Sequence, residues 1–204
     1  MDPAIDEFQR FVKRLLDIIL STIGLLILLP LFVVVALAIK IEDGQPIFYF
    51  AERVGENRKL FRMVKFRSMV VGAEELQVNQ LDDNGNIIHK SLDDPRITRV
   101  GRFIRRTSID ELPQLLNVLK GEMSMVGPRP EQPWIVAMYE PWQYRRFVVP
   151  QGITGWWQIN GRSDNLMYLH TEQDLYYIQN YSLWLDLQIL WRTFAVVLRG
   201  RGAY

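Results

Sequence analysis

Hydrophobic and polar positions fall into two regimes along this chain. From Ile18 to Ile39 no side chain is charged, with Lys13, Arg14 and Asp17 before the run and Lys40 after it. At about 1.5 Å per residue, a straight helix of this length would just cross a hydrocarbon layer of about 30 Å. The run is too long for a cleavable signal, and no small-residue cleavage site follows it. Pro30 sits in its middle, where it lacks an N–H and crowds the Leu26 carbonyl, so the pattern predicts a helix-break-helix. Each arm, Ile18–Leu29 and Leu31–Ile39, is too short to span alone. Basic residues flank both ends, which assigns both to the cytoplasmic side. The expectation is a re-entrant segment over about residues 14–40 that dips into one leaflet, with a kinked single-pass helix as the alternative.

Beyond Lys40 the pattern becomes that of a folded domain. Pro46–Phe50 and Leu60–Val64 read as paired extended segments around the turn Gly55-Glu56-Asn57. Val71–Asn79 has a helical pattern, Asp83-Asn84-Gly85-Asn86 is a turn signal, and Ile87-Ile88 suits a returning strand. In Arg96–Arg106, Ile97, Val100, Phe103 and Ile104 alternate with arginines, which predicts a short helix with a basic face. Gln114–Lys120 reads as a helix stopped by Gly121. Ser182–Leu198 is helical and unusually apolar, and its Trp184, Trp191 and Arg192 suit either the membrane–water interface or a buried core. With no repeat, low-complexity tract or long linker, the fold class expected is α+β, mainly helical. Residues 1–204 form a single membrane-anchored domain with its core over about 41–204.

Composition narrows the chemistry. The net charge is +1, so nothing in the whole molecule points to nucleic acid. The charge is uneven, however: Arg53, Arg58, Lys59, Arg62, Lys65 and Arg67 lie close together against only Glu52 and Glu56. Such patches suit phosphate or a solvated surface equally. Cysteine is absent, which removes disulfides, thiolate metal sites and a thiol nucleophile. His89 and His170 are too far apart in sequence to suggest a zinc site.

The segment Gly101–Pro130 holds the candidate chemistry. Asp110 and Glu111 lie between Arg102, Arg105 and Arg106 and the turn Gly127-Pro128-Arg129-Pro130. Arginine forks bind phosphate bidentately, and carboxylates attack phosphorus or hold a divalent metal. A competing reading is plain: Ser108-Ile109-Asp110-Glu111 matches a capping box, with Ser108 as N-cap and Glu111 reaching back. A carboxylate nucleophile must approach phosphorus against like charge, so it needs arginines and a metal nearby.

The ordered motifs resemble those of the bacterial monotopic phosphoglycosyl transferases. They are KRLLD (Lys13–Asp17), the Pro-interrupted apolar segment, ERVG (Glu52–Gly55), KFRSM (Lys65–Met69), DPRITRVGRFIRRTSIDELPQLLNVLKGEMSMVGPRP (Asp94–Pro130) and GITGWWQINGR (Gly152–Arg162). The resemblance implies that Asp110 attacks the sugar-linked phosphorus of a UDP-sugar, expelling UMP and leaving an aspartyl phosphosugar. Undecaprenyl phosphate would then take the phosphosugar. It implies that Glu111 binds Mg²⁺, that Arg129 and Arg105 bind substrate phosphate, and that Lys65 and Arg67 do so less certainly matched, with Asp174 and Tyr177 further candidates. The implied partners are UDP-sugar, undecaprenyl phosphate and membrane lipid, without nucleic acid, and a homodimer is left open. The implied location is the cytosolic face of the bacterial inner membrane. The tail LWLDLQILWRTFAVVLRGRGAY is similar to members that load galactose 1-phosphate, with glucose the next donor. Those members often carry further N-terminal membrane and soluble domains, which these 204 residues do not include. One departure is Leu29, where many members have serine before the proline. The rival expectation is a non-catalytic membrane-anchored scaffold whose acidic pair is only a helix cap.

Overall fold

The computed structural model describes residues 6–73, 76, 94–161 and 171–198. Helix α1 runs from Glu7 to Asp43, capped by the Asp6 carboxylate on Phe8 N–H at 3.1 Å and ended by Gly44. A hairpin of β1 (Phe48–Val54) and β2 (Leu60–Phe66) follows. Next come α2 (Arg99–Arg106), a 3₁₀ turn over Ile109–Gln114, and α3 (Leu115–Lys120), which stops at left-handed Gly121. Strand β3 (Ser124–Val126) leads to α4 (Pro133–Val136) and a second 3₁₀ segment, Pro141–Val148. Strand β4 (Gly152–Thr154) pairs in parallel with β3, and α5 (Trp156–Gly161), α6 (Thr171–Gln179) and α7 (Leu183–Leu198) complete the chain. The fold is thus α+β and mainly helical, as the patterning indicates. Val71–Ala73 form a turn rather than the start of a helix. Most of the remaining Val71–Asn79 segment, the 83–86 turn and Ile87-Ile88 lie outside the described residues.

Helix α1 differs from the broken pair expected. The chain stays helical through Pro30, which lies inside one 37-residue element. Proline removes one hydrogen bond, to the Leu26 carbonyl, and the helix continues through it on the bonds of the other turns. Ser21 does not relieve the carbonyl; its hydroxyl donates to Ile18 O at 3.2 Å, a turn earlier. Only a narrow stripe of α1 is covered: Lys13, Asp17, Ser21, Val35 and Ile39 are buried, at helical spacing. Leu26 and Ile27 on the other side are 69% and 71% exposed. An apolar surface of this extent does not face water in a stable protein; it faces lipid.

The stripe also decides how α1 meets the membrane. Near its start, Lys13 pairs with Asp186 at 2.5 Å, Arg14 donates to the carbonyls of Val118 and Leu119, and Asp17 accepts from Ser124 Oγ and Met125 N–H. Near its end, Glu42 accepts from the backbone of Arg99 and Val100, and Asp43 pairs with Arg67. One globular body cannot lie on both sides of a bilayer, so α1 does not cross it. It is a re-entrant membrane helix, clamped at both ends by the same domain.

Four small apolar clusters hold that domain. Val35 and Ile39 of α1 pack with Phe66 and Ile104, tying the anchor to the hairpin and α2. Ala51 and Met63 of the hairpin pack with Val118 and Met123 around α3. Val54 joins Ile135, Val136, Tyr139 and Phe147, and Val126, Tyr177 and Ile189 centre the C-terminal cluster.

Candidate active site

The turn that carries the acidic pair is not a helix cap. Ser108 is left-handed (φ 56°) and its side chain makes no capping bond. The capping-box expectation therefore fails, because the positive φ turns the chain before a cap can form. The 3₁₀ turn after it buries both Asp110 and Glu111. Glu111 does not reach back to its own turn. It accepts from Arg129 Nη2 at 2.6 Å and Nη1 at 3.2 Å, and from Lys65 Nζ at 3.0 Å. Asp110 is 3% exposed, and its Oδ1 has no hydrogen-bond partner among the described residues. A buried carboxylate oxygen without a donor is costly in a folded protein and calls for an explanation.

Arg129 is positioned from behind. Gly127 and Gly152 let two backbones meet: a Cβ on Gly127 would lie 2.2 Å from Pro150 O, and one on Gly152 would lie 2.1 Å from Gly127 N. Arg146, fully buried, donates Nη2 to the Arg129 carbonyl at 2.8 Å, pairs with Asp174 at 2.7 Å and bonds the Tyr139 hydroxyl. Burial is the largest single influence on Arg129 and opposes its charge, yet Glu111, with Glu131 and Asp110, raises the guanidinium pKa. Burial likewise pushes the Asp174 carboxyl up to about 6, against the pull of Arg146.

The remaining residues separate clearly. Arg105, at the end of α2, has an unpartnered buried Nε; burial lowers its pKa, and Asp110 is the charge that most opposes this. Arg67 is not at the site. It is fixed to Asp43, to the carbonyls of Asp43 and Gly44, and to Pro46 O at 2.5 Å, and so it closes the C-terminal end of α1. Tyr177 is also structural here: its hydroxyl donates to Asp186 at 2.7 Å and to Val126 O at 3.3 Å. Sequence reasoning missed Arg146 and Arg53. No local signal marks Arg146, which lies in an aromatic, basic run. Arg53 lies in the ERVG motif, which draws attention to it without giving it a role.

Among the described residues no group of three or more His, Cys, Asp or Glu is arranged to hold a metal. Mg²⁺ commonly takes one or two carboxylates and fills its other positions with phosphates and water; Glu111 is the carboxylate the resemblance assigns to it, and both its oxygens accept from Arg129 or Lys65 here.

The fold and site together define a membrane-anchored domain with a buried carboxylate pair set among lysine and arginine side chains. The chain belongs to the bacterial sugar transferase family, whose pattern it matches over residues 8–200. It is 45% identical over 200 residues to the galactosyl transferase CpsE of Streptococcus agalactiae, covering 94% of this chain and 43% of that protein. It is 44% identical to the undecaprenyl-phosphate galactose phosphotransferase of Salmonella typhimurium, covering 96% of this chain and 42% of the relative. The chain thus spans less than half the length of both. Against the exopolysaccharide production protein ExoY of Rhizobium meliloti, identity is 37%, covering 98% of this chain and 92% of the relative. Membership and the lipid-facing helix together locate the protein at the inner membrane, with the folded domain facing the cytosol.

Proposed function

We propose that this domain transfers a sugar 1-phosphate from a UDP-sugar to undecaprenyl phosphate, releasing UMP and starting the assembly of a surface glycan. The observation that carries the reading is the buried Asp110, with a free Oδ1, beside a Glu111 already neutralised by Arg129 and Lys65. Glu111 thereby adds little repulsion to an incoming diphosphate, and Asp110 keeps its lone pairs for phosphorus. Asp110 attacks the sugar-linked phosphorus, the bond to the bridging oxygen breaks, and UMP leaves with that electron pair. The phosphate of the lipid then attacks the aspartyl phosphosugar and restores the carboxylate. Glu111 would hold Mg²⁺, which would supply Lewis-acid neutralisation of phosphate charge.

The anchor suits a substrate confined to the headgroup layer. Helix α7 exposes Trp184, Leu187, Trp191 and Phe194 at helical spacing, and α2 exposes Phe103 beside exposed Arg102 and Arg106. Aromatic and basic side chains of this kind settle at the interface, where they hold Asp110 near the lipid phosphate. The galactose in the names of two relatives favours UDP-galactose as donor, with UDP-glucose next.

The test is UMP release by protein in nanodiscs supplied with Mg²⁺, undecaprenyl phosphate and a panel of UDP-sugars. Asp110→Asn should lower the rate by more than about a thousandfold, as loss of a nucleophile does. Mass spectrometry should find a phosphosugar on the Asp110 peptide of the wild type only. Normal UMP release by Asp110→Asn would sink the reading.

A further inference from the structure

Arg53 is a cation of this site to which neither the sequence motifs nor the comparisons give a role. The hairpin register places Tyr49↔Lys65, Ala51↔Met63 and Arg53↔Phe61 on one face, because side chains alternate along a strand. Arg53 and Lys65 therefore project from the same face, at either end of the pair Ala51–Met63. Immediately after Arg53, the Val54 N–H donates to Glu131 O at 2.9 Å, which fastens this end of β1 to the chain two residues beyond Arg129. Arg53 thus lies on the hairpin next to the chain that carries Arg129, and the charges of Arg129 and Glu111 both act on it.

Its bonding differs from that of its neighbours. Arg129 and Lys65 are both held by Glu111. Arg53 makes no ion pair among the described residues, and its Nη1 donates to the carbonyl of Glu52, its own neighbour, at 2.7 Å. Burial lowers its pKa, with Glu131 and Glu111 opposing and Arg129 reinforcing the effect. A guanidinium partly withdrawn from water and without an ion pair among the described residues gains when an anion arrives. Arg105 likewise has a buried Nε with no hydrogen-bond partner among the described residues, and Asp110 is the carboxylate that acts on it most strongly.

We propose that Arg53 binds the phosphate that leaves with the nucleotide, so that Arg53 and Arg105 hold the two ends of the donor's diphosphate across Glu111. This rests on the transferase reading above and assigns the two phosphates within it. Arg105, next to Asp110, faces the sugar-linked phosphorus under attack. Arg53 faces the phosphate that becomes UMP, whose charge grows as the bridging oxygen takes the electron pair. A guanidinium fork aimed where charge develops stabilises that step and also binds the product.

The experiment measures UMP binding to the full chain in nanodiscs by equilibrium dialysis, which needs no turnover, alongside UMP release from UDP-sugar. Arg53→Gln should weaken UMP binding by about 10- to 100-fold, the value of a charge-assisted fork, and raise KM for the donor. Arg53→Lys, which keeps the charge without the fork, should fall between. Arg58→Gln, an exposed arginine of the same hairpin lying over the Tyr144 ring, should bind UMP as the wild type does. Wild-type release of UMP together with unchanged UMP affinity in Arg53→Gln would overturn this assignment alone. If Arg53→Gln does not fold, unchanged affinity in Arg53→Lys would overturn it equally. A wild type that releases UMP from no UDP-sugar would instead sink the transferase reading itself.

Discussion

Replacing Glu111 by glutamine keeps the size of the side chain and removes its charge, so it isolates what that charge does. In the native protein Glu111 accepts two charge-assisted bonds from Arg129 and one from Lys65 among the described residues, with its side chain 5% exposed. Glutamine turns an NH₂ group toward one of these cations and leaves two positive groups facing each other. Breaking a buried ion pair from one side costs about 3–5 kcal/mol. Arg129 and Lys65 keep 19% and 14% of their side-chain surface exposed, so water relieves part of the loss and the lower figure, about 3 kcal/mol, applies. For a domain of 204 residues each kcal/mol moves Tm by about 2–4 °C, which gives a fall of about 6–12 °C. UMP release, measured well below the new Tm, should drop by more than about a hundredfold, since the phosphates would then meet unneutralised and misplaced cations. Adding Lys65→Met to Glu111→Gln should cost less than the sum of the single changes, because the two residues share a bond. A Tm within about 3 °C of wild type, with more than about a tenth of the activity retained, would refute this account of the site (half the smallest Tm fall worked above, and half the activity loss on a logarithmic scale).

Two further outcomes test the frame around the site. Lys13→Met should destabilise the protein by about 3–5 kcal/mol by stranding Asp186, and Lys13→Met with Asp186→Leu should recover most of it, as chemical unfolding in detergent would read out. Asp174 gives a pH signature. Its folded-state pKa of about 6 lies above the ordinary 3.8, so its contribution is fully present below pH 3.8 and is lost as pH rises through about 6. The linked loss is about 3 kcal/mol, and unfolding curves of Asp174→Asn should be correspondingly flatter between about pH 4 and 6.

Local pattern made much of this protein legible. The uncharged run with basic ends identified α1 as a membrane element, because hydrocarbon excludes charge whatever the rest of the chain does. The alternation around Gly55 gave the hairpin, and the apolar spacing in Arg96–Arg106 gave α2, since both periods come from the backbone alone. Asp110, Glu111, Arg105 and Arg129 stood out through motif order, and the structure brings Glu111 and Arg129 into contact while setting Arg105 beside Asp110.

Tertiary structure decided what each group does. Ser108 reads as a cap in isolation, yet its left-handed backbone sends Glu111 across to Lys65, 46 residues away. Arg67 reads as a phosphate ligand in its motif, but it is fixed to the end of α1. Arg146 and Arg53 acquire meaning only from partners, or the lack of them, contributed by distant segments. Sequence sets the propensity of a segment and the solvent it prefers. Which charges meet, and which stay unpaired, depends on packing between elements that no local pattern encodes.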